Sequence, residues 1–134
     1  MFQKRWQVER DNPLIYDPII KRMFANWYII YKKIYMLIHT VIFWLKEGLD
    51  DEDRSKFFKG VDSLGTIQSV EHTFIGTPAN TTKRPVVDDS YDCALTVALK
   101  NIEAHDAYQV DPIHLAFIKE CGHLWKNVKI FDAD

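Results

Sequence analysis

The sequence contains little cysteine, since only Cys93 and Cys121 occur among 134 residues. Two thiols are too few for a disulfide framework, and their apolar neighbours favour reduced core positions. No apolar run is long enough to span a bilayer. The first residues, "MFQKRWQVERDNP", also lack the apolar segment and cleavage site of a secretory signal. These absences predict a cytoplasmic protein without disulfide bonds.

An excess of charge of one sign is also missing. The 17 Lys and Arg residues nearly balance the 19 Asp and Glu residues, and the net charge is -2. We therefore expect neither a nucleic-acid partner nor attachment to an anionic membrane. Glycine-rich phosphate loops, HExxH and CxxC are absent from the sequence, so we expect no cofactor and no metal ligands. The length is sufficient for one domain with a substantial core.

Residues 1–35 differ in pattern from the rest, and we predict that they form an N-terminal helical extension. Apolar side chains recur there at helical spacing: Ile20, Met23, Phe24, Trp27, Tyr31 and Ile34. One interpretation is an amphipathic helix that binds a membrane or a partner. A second, which we favour, is an appendage packed on its own domain or on a second copy of the chain. A third places the natural start of the chain at Met36.

Residues 36–134 alternate between strand and helix patterns. Period-two segments predict strands at 36–45, 69–77, 90–99 and 127–133. Helical spacing predicts helices at 50–67, 101–110 and 111–125, with Gly65 as the stop of the first. The order β-α-β-β-α-β, with the second helix broken in two, predicts an α+β, ferredoxin-like domain with a four-stranded antiparallel sheet.

The first strand is apolar on both faces. Leu37, His39, Val41, Phe43 and Leu45 share one face, and Ile38, Thr40, Ile42 and Trp44 share the other. Helices can cover only one face of the sheet, so the other face has to meet a further apolar surface. The same face of a second copy is the simplest candidate. We therefore expect a homodimer in the form of a dimeric α+β barrel, although the sequence does not say which face is open.

The segment "AYQVDPIHLAF" (107–117) combines a helix boundary with polar side chains. Asp111 is a good N-cap and Pro112 suits the first helical position. His114 then lies in the first helical turn, where the helix dipole favours neutral imidazole, a potential general base. Tyr108 could donate its phenol proton to an oxyanion. Each of these residues, taken singly, also suits a purely structural role.

The other histidines are expected to be structural. His72 alternates with Val70 and Phe74, which we predict to be core residues, so it lies in an ordinary strand pattern. His105 and His123 fall on predicted helices without a matching ligand spacing.

Four segments together resemble the stress-responsive A/B barrel (Dabb) family. They are "MLIHTVIFWLKEGLDDEDRSKFF", "RPVVDDSYDCALTVAL", "AHDAYQVDPIHLAFI" and "LWKNVKIFD". The resemblance implies ferredoxin-like chains that pair into a barrel. In a plant member of that family, a tyrosine and a histidine of the third segment cyclise a polyketide without a cofactor, which implies catalytic roles for Tyr108 and His114. His39 matches that enzyme's first-strand histidine, whereas Asp111 replaces another histidine.

These observations predict a homodimer with a small pocket near His39, Tyr108 and His114. Its reaction is unassigned, and a cofactor-independent lyase or cyclase acting on a small carbonyl or polyketide-like compound is the first hypothesis. A non-enzymatic, stress-associated or ligand-binding dimer is the second. A cofactor-free monooxygenase is the third, by analogy of fold alone.

Overall fold

The computed structural model describes Pro18, Ile19, Arg22, Met23 and residues 36–134. The chain divides into two compact units, Met1–Tyr35 and Met36–Asp134. The four described residues of the first unit are helical, and the remainder of the predicted N-terminal extension lies outside the described residues. Within the described ranges, no helix has the length and hydropathy needed to cross a membrane.

The second unit is built from four strands, three α-helices and one 3₁₀ turn. The strands are β1 (Leu37–Leu45), β2 (Val70–Gly76), β3 (Cys93–Leu99) and β4 (Trp125–Ala133). The helices are α1 (Asp51–Ser63), α2 (Ile102–Val110) and α3 (Pro112–Cys121), and the 3₁₀ turn is Leu64–Thr66. The strands form one sheet in the order β2-β3-β1-β4, and every neighbouring pair is antiparallel. The predicted ferredoxin-like fold is confirmed.

Side-chain caps fix where α2 and α3 begin. The side-chain oxygen of Asn101 accepts a hydrogen bond from the backbone N–H of Ala104 at 3.0 Å. Asp111 accepts one from the N–H of Ile113 at 2.8 Å, and Pro112 follows at the first helical position. Proline carries no backbone N–H and disfavours a helical residue before it, so α2 ends and α3 starts at Asp111. The predicted break between the two helices is confirmed.

The end of α1 differs from the prediction. The helix ends at Ser63 and tightens into the 3₁₀ turn, so the predicted stop, Gly65, lies within that turn and not at the end of the α-helix. Gly48 is the described residue with positive φ, and Gly65 does not share that geometry. A Cβ on Gly65 would lie 2.9 Å from the hydroxyl oxygen of Thr73. Glycine is therefore needed here because the turn passes close to β2.

The hydrophobic core lies between the helices and one face of the sheet, here called the covered face. On β1 this face carries Leu37, His39, Val41, Phe43 and Leu45, all of them buried. Phe57 and Val61 of α1 are fully buried against it. The ring of Phe43 contacts Phe57 and Phe117 edge-on, with centroids 5.3 Å and 6.1 Å away. This aromatic cluster holds α1 and α3 on the sheet.

The opposite face of the sheet, here called the open face, keeps large apolar side chains exposed. Phe74 is 65% exposed and Phe131 is 60% exposed. The prediction that Phe74 belongs to the core is therefore wrong, although Val70 does pack against the core. A register shift between Val70 and His72 is the cause, because it places Val70 opposite Leu99 but Phe74 opposite Thr96. The bulge moves the rest of the strand to the other face.

Candidate active site

His39 occupies the middle of β1 on the covered face and is 3% exposed. Its strand partner on β4 is Asp132. The Nδ1 atom of His39 lies 2.5 Å from a carboxylate oxygen of Asp132, although that carboxylate is half exposed at the sheet edge. The antiparallel register alone brings these two side chains together, because residues directly opposite each other share a face.

Two side chains of α2 approach His39 from above. His105 and Tyr108 are three residues apart, so they lie on the same side of the helix. The ring of His105 meets that of His39 edge-on at 5.2 Å, and the ring of Tyr108 meets it at 5.7 Å. Tyr108 is 1% exposed. His39 is thus enclosed by a carboxylate on its own sheet and by an imidazole and a phenol on α2.

His114 joins this group from the first turn of α3. Its ring lies 4.8 Å from the ring of Tyr108. Its Nδ1 atom is 3.1 Å from the backbone carbonyl oxygen of Gln109. A carbonyl only accepts hydrogen bonds, so Nδ1 must carry a proton and donate it. In the neutral ring, Nε2 is then the nitrogen with the free lone pair.

Gln109 links the two outer histidines of the group. Its carbonyl holds His114, and its side-chain nitrogen lies 3.1 Å from Nε2 of His105. Gln109 is the penultimate residue of α2, so its carbonyl is available for a side chain beyond the helix end. The helix break at Asp111 therefore sets the position of His114 as well as its tautomer.

Burial controls the ionisation of both candidate proton carriers. It raises the pKa of the Tyr108 phenol to about 12. It also lowers the pKa of His114, and the hydrogen bond to Gln109 opposes that shift only partly. At neutral pH Tyr108 is therefore a hydrogen-bond donor and His114 is a neutral base. This combination suits proton abstraction beside a developing oxyanion.

The two cysteines do not offer a competing nucleophile. Burial raises the pKa of Cys93 to about 11 and also raises that of Cys121. Both thiols are free and buried, which agrees with the predicted core positions. A protonated, enclosed thiol is a poor nucleophile.

The fold brings the three predicted site residues together as neighbours. Tyr108 contacts both His39 and His114. His114 is oriented by the hydrogen bond that its Nδ1–H donates to the Gln109 carbonyl. Sequence reasoning missed Asp132 and treated His105 as structural. The three-residue spacing of His105 and Tyr108 could have shown that both lie on the same side of a helix. The pairing of Asp132 with His39 could not be predicted without the strand register.

Two hollows of the second unit lie away from this group. A groove of about 600 Å³ runs between α1 and α3 and is lined by Lys56, Gly60 and Phe117, among others. A second hollow, of about 590 Å³, lies beside β2 at Gly65 and His72. Neither is lined by His39, Tyr108 or His114. The predicted pocket near these residues therefore stays a prediction.

A scan against protein-family models matches residues 37–134 to the stress responsive A/B barrel domain, Dabb. This match covers almost the whole second unit, including the four strands and the three helices. No curated protein sequence matches the chain significantly.

Solved structures with the same fold come from bacteria and plants. A Dabb-family protein with a ferredoxin-like fold from Mesorhizobium loti has a TM-score of 0.60 and 22% identity, covering 74% of this chain and 95% of that one. The hydroxynitrile lyase of Passiflora edulis has a TM-score of 0.61 and 17% identity, with coverages of 73% and 91%. A dimeric ferredoxin-like protein of unknown function from Thermobifida fusca has a TM-score of 0.59 and 17% identity, with coverages of 75% and 94%. At these identities the likeness shows the fold.

Proposed function

The chain belongs to the stress-responsive A/B barrel (Dabb) family, and on that basis we propose that it is a homodimeric, cofactor-independent lyase or cyclase. Its substrate is a small carbonyl compound or polyketide-like compound, and the reaction is aldol-type making or breaking of a carbon–carbon bond. The observation that carries this proposal is the hydrogen bond from His114 to the Gln109 carbonyl. It leaves Nε2 as the basic atom of a ring that contacts the Tyr108 phenol.

In the lyase direction, Nε2 of His114 takes the proton of the substrate's hydroxyl group. The carbonyl forms as the neighbouring carbon–carbon bond breaks, and the electron pair passes to the departing enolate. The Tyr108 O–H donates a hydrogen bond to the enolate oxygen, which a phenol with a pKa of about 12 can do throughout the neutral range. The imidazolium then returns its proton to the enolate carbon. Cyclisation is the reverse sequence within one molecule.

The second copy in this proposal would cover the open face. Ile38, Phe74 and Phe131 lie exposed there, and an apolar patch of this kind is typical of a protein–protein contact. Relatives from Thermobifida fusca and Bacteroides fragilis are described as dimeric. Light scattering of the full chain at micromolar concentration tests this part, and a monomer mass would contradict it.

Turnover of two simple probes tests the chemistry. Diacetone alcohol reports retro-aldol cleavage, and mandelonitrile reports cleavage of a hydroxynitrile, the substrate class in the name of the Passiflora relative. We expect His114→Ala to lower turnover by about 100-fold or more, since a positioned base contributes about that much. Tyr108→Phe should lower it because the oxyanion loses its donor.

His123→Ala is the matched control, because His123 is exposed and lies outside the group. It should keep wild-type turnover. Equal loss in His114→Ala and His123→Ala would remove His114 from the mechanism. Absence of turnover with both probes and with other aldol substrates would favour the second candidate function, ligand binding without chemistry.

A second candidate function is ligand binding without chemistry. The observation that favours it is the burial of His39 and Tyr108, which are 3% and 1% exposed, so both rings pack as core side chains do. Under this alternative, a co-purified small molecule would be recovered unchanged, and Tyr108→Phe would alter its affinity without any turnover to lose. The monooxygenase hypothesis has no comparable observation in its favour.

A further inference from the structure

We propose that His39, His105 and Asp132 form a binding site for one divalent transition-metal ion of the zinc class. One ligand atom from each of the three residues lies within 4.8 Å of the others. Two imidazoles and one carboxylate are a donor set that suits zinc with an open position for water. The site adjoins the proposed donor, because the ring of Tyr108 contacts that of His39. Neither Tyr108 nor His114 is a ligand.

His105 provides the second observation. Its Nδ1 atom is buried and has no hydrogen-bond partner within the described part of the chain. The nearest acid, Asp106, lies 3.6 Å away, which is too far for a hydrogen bond. A buried ring nitrogen without a hydrogen-bond partner is costly. A metal ion bound at Nδ1 would remove that cost by accepting the lone pair of this nitrogen.

The side chain of Gln109 is placed to support this role. It lies 3.1 Å from the Nε2 atom of His105, and the amide oxygen and nitrogen can exchange places by rotation. When the amide oxygen of Gln109 faces His105, this oxygen accepts a hydrogen bond from Nε2–H. The lone pair of the neutral imidazole is then on Nδ1. Histidine ligands commonly donate their second nitrogen in this way, which fixes the ring and its tautomer.

The geometry requires only a small adjustment. Ligands about 2.0–2.2 Å from a zinc ion lie about 3–3.5 Å from one another. The pair formed by His39 and Asp132, now 2.5 Å apart, would open slightly. A separation of 4.8 Å, the widest in the group, would close by about 1.5 Å. Asp132 can move because its side chain is 48% exposed on an edge strand. The metal would take the place of the direct contact between His39 and Asp132.

The experiment uses the untagged full chain after chelator treatment and desalting. Zn²⁺ is titrated in competition with a chromophoric chelator, and Co²⁺ is titrated while the visible spectrum is recorded. We expect one ion per chain, an intense Co²⁺ spectrum typical of low coordination number, and a higher melting temperature with Zn²⁺. Binding that is not stoichiometric, or a weak spectrum like that of hydrated Co²⁺, would overturn the proposal.

Two variants assign the ligands. His105→Leu keeps a side chain of similar bulk and should lower Zn²⁺ affinity at least tenfold, as should Asp132→Asn, which preserves shape at a half-exposed position. His123→Leu is the matched control and should bind like wild type. Wild-type affinity in Asp132→Asn and His105→Leu, or equal loss in His123→Leu, would contradict the site. These results do not depend on turnover, so they are independent of the proposed reaction.

Discussion

The two faces of β1 have nearly the same apolar composition and opposite environments. Leu37, Val41 and Phe43 on the covered face are all buried. Ile38, Ile42 and Trp44 on the open face remain partly exposed. The difference arises from the connections, because α1, α2 and α3 all pack on the same side of the sheet. The sequence pattern of a strand therefore shows that both of its faces are apolar. The topology decides which face the helices of the same chain bury.

The covered face also concentrates the polar chemistry. His39 is its one polar member on β1, and it meets a carboxylate, an imidazole and a phenol there. The open face has ordinary cross-strand contacts, such as the hydroxyl pair of Thr40 and Thr96 at 3.0 Å. We propose that the covered face carries the chemistry and the open face the assembly, and variants on each face can test this division.

The largest effect is expected from a charge on the covered face. Phe43 is 3% exposed and contacts Phe57, Phe117 and Trp125. Phe43→Glu buries a carboxylate without a partner and removes these aromatic contacts, so it should cost at least about 4 kcal/mol and leave the chain unfolded or insoluble. Circular dichroism and solubility measure this. A folded, soluble Phe43→Glu protein would contradict the assignment of this face to the core.

The same charge one residue away should give a different result. Ile42→Glu lies on the open face opposite Lys129, which can pair with the new carboxylate in a single copy. We therefore expect a folded protein whose dimerisation is weakened about 100-fold, equivalent to about 3 kcal/mol. Sedimentation or light scattering over a concentration series measures this, with Ile42→Val as the control. A dimer of undiminished stability in Ile42→Glu would show that the open face is not the contact surface.

Local signals predicted most of the fold, and long-range pairing accounts for what they missed. Asp111 and Pro112 act within one turn of helix, so the start of α3 could be predicted from neighbouring residues in the sequence. His39 and Asp132 are 93 positions apart, and their contact depends on a register that no short segment encodes. Phe74 was misplaced for a related reason, because the bulge after Val70 interrupts a period of two.

An intermediate effect is expected at the helix break above the covered face. Asp111→Ala removes the hydrogen bond to the Ile113 N–H, and loss of an N-cap costs about 1 kcal/mol. Urea denaturation measures the loss, and Asp111→Ser should restore most of it. The break also places His114, so the Ala variant should lose more activity than its small loss of stability explains. Unchanged unfolding in Asp111→Ala would contradict the capping role.

The smallest effect concerns the pH dependence of stability, and it depends on the burial of His114. Burial lowers the folded-state pKa of His114 below the ordinary value of 6.5. The unfolded chain therefore binds this proton more readily, and the free energy of unfolding falls as the pH decreases below 6.5 towards the folded-state pKa. His114→Gln should flatten the stability profile in that window relative to the wild-type profile. Chemical denaturation at a series of pH values measures both profiles. An unaltered slope in His114→Gln would show that the His114 imidazole is solvated like an ordinary surface histidine, and the covered face would then lose its neutral base.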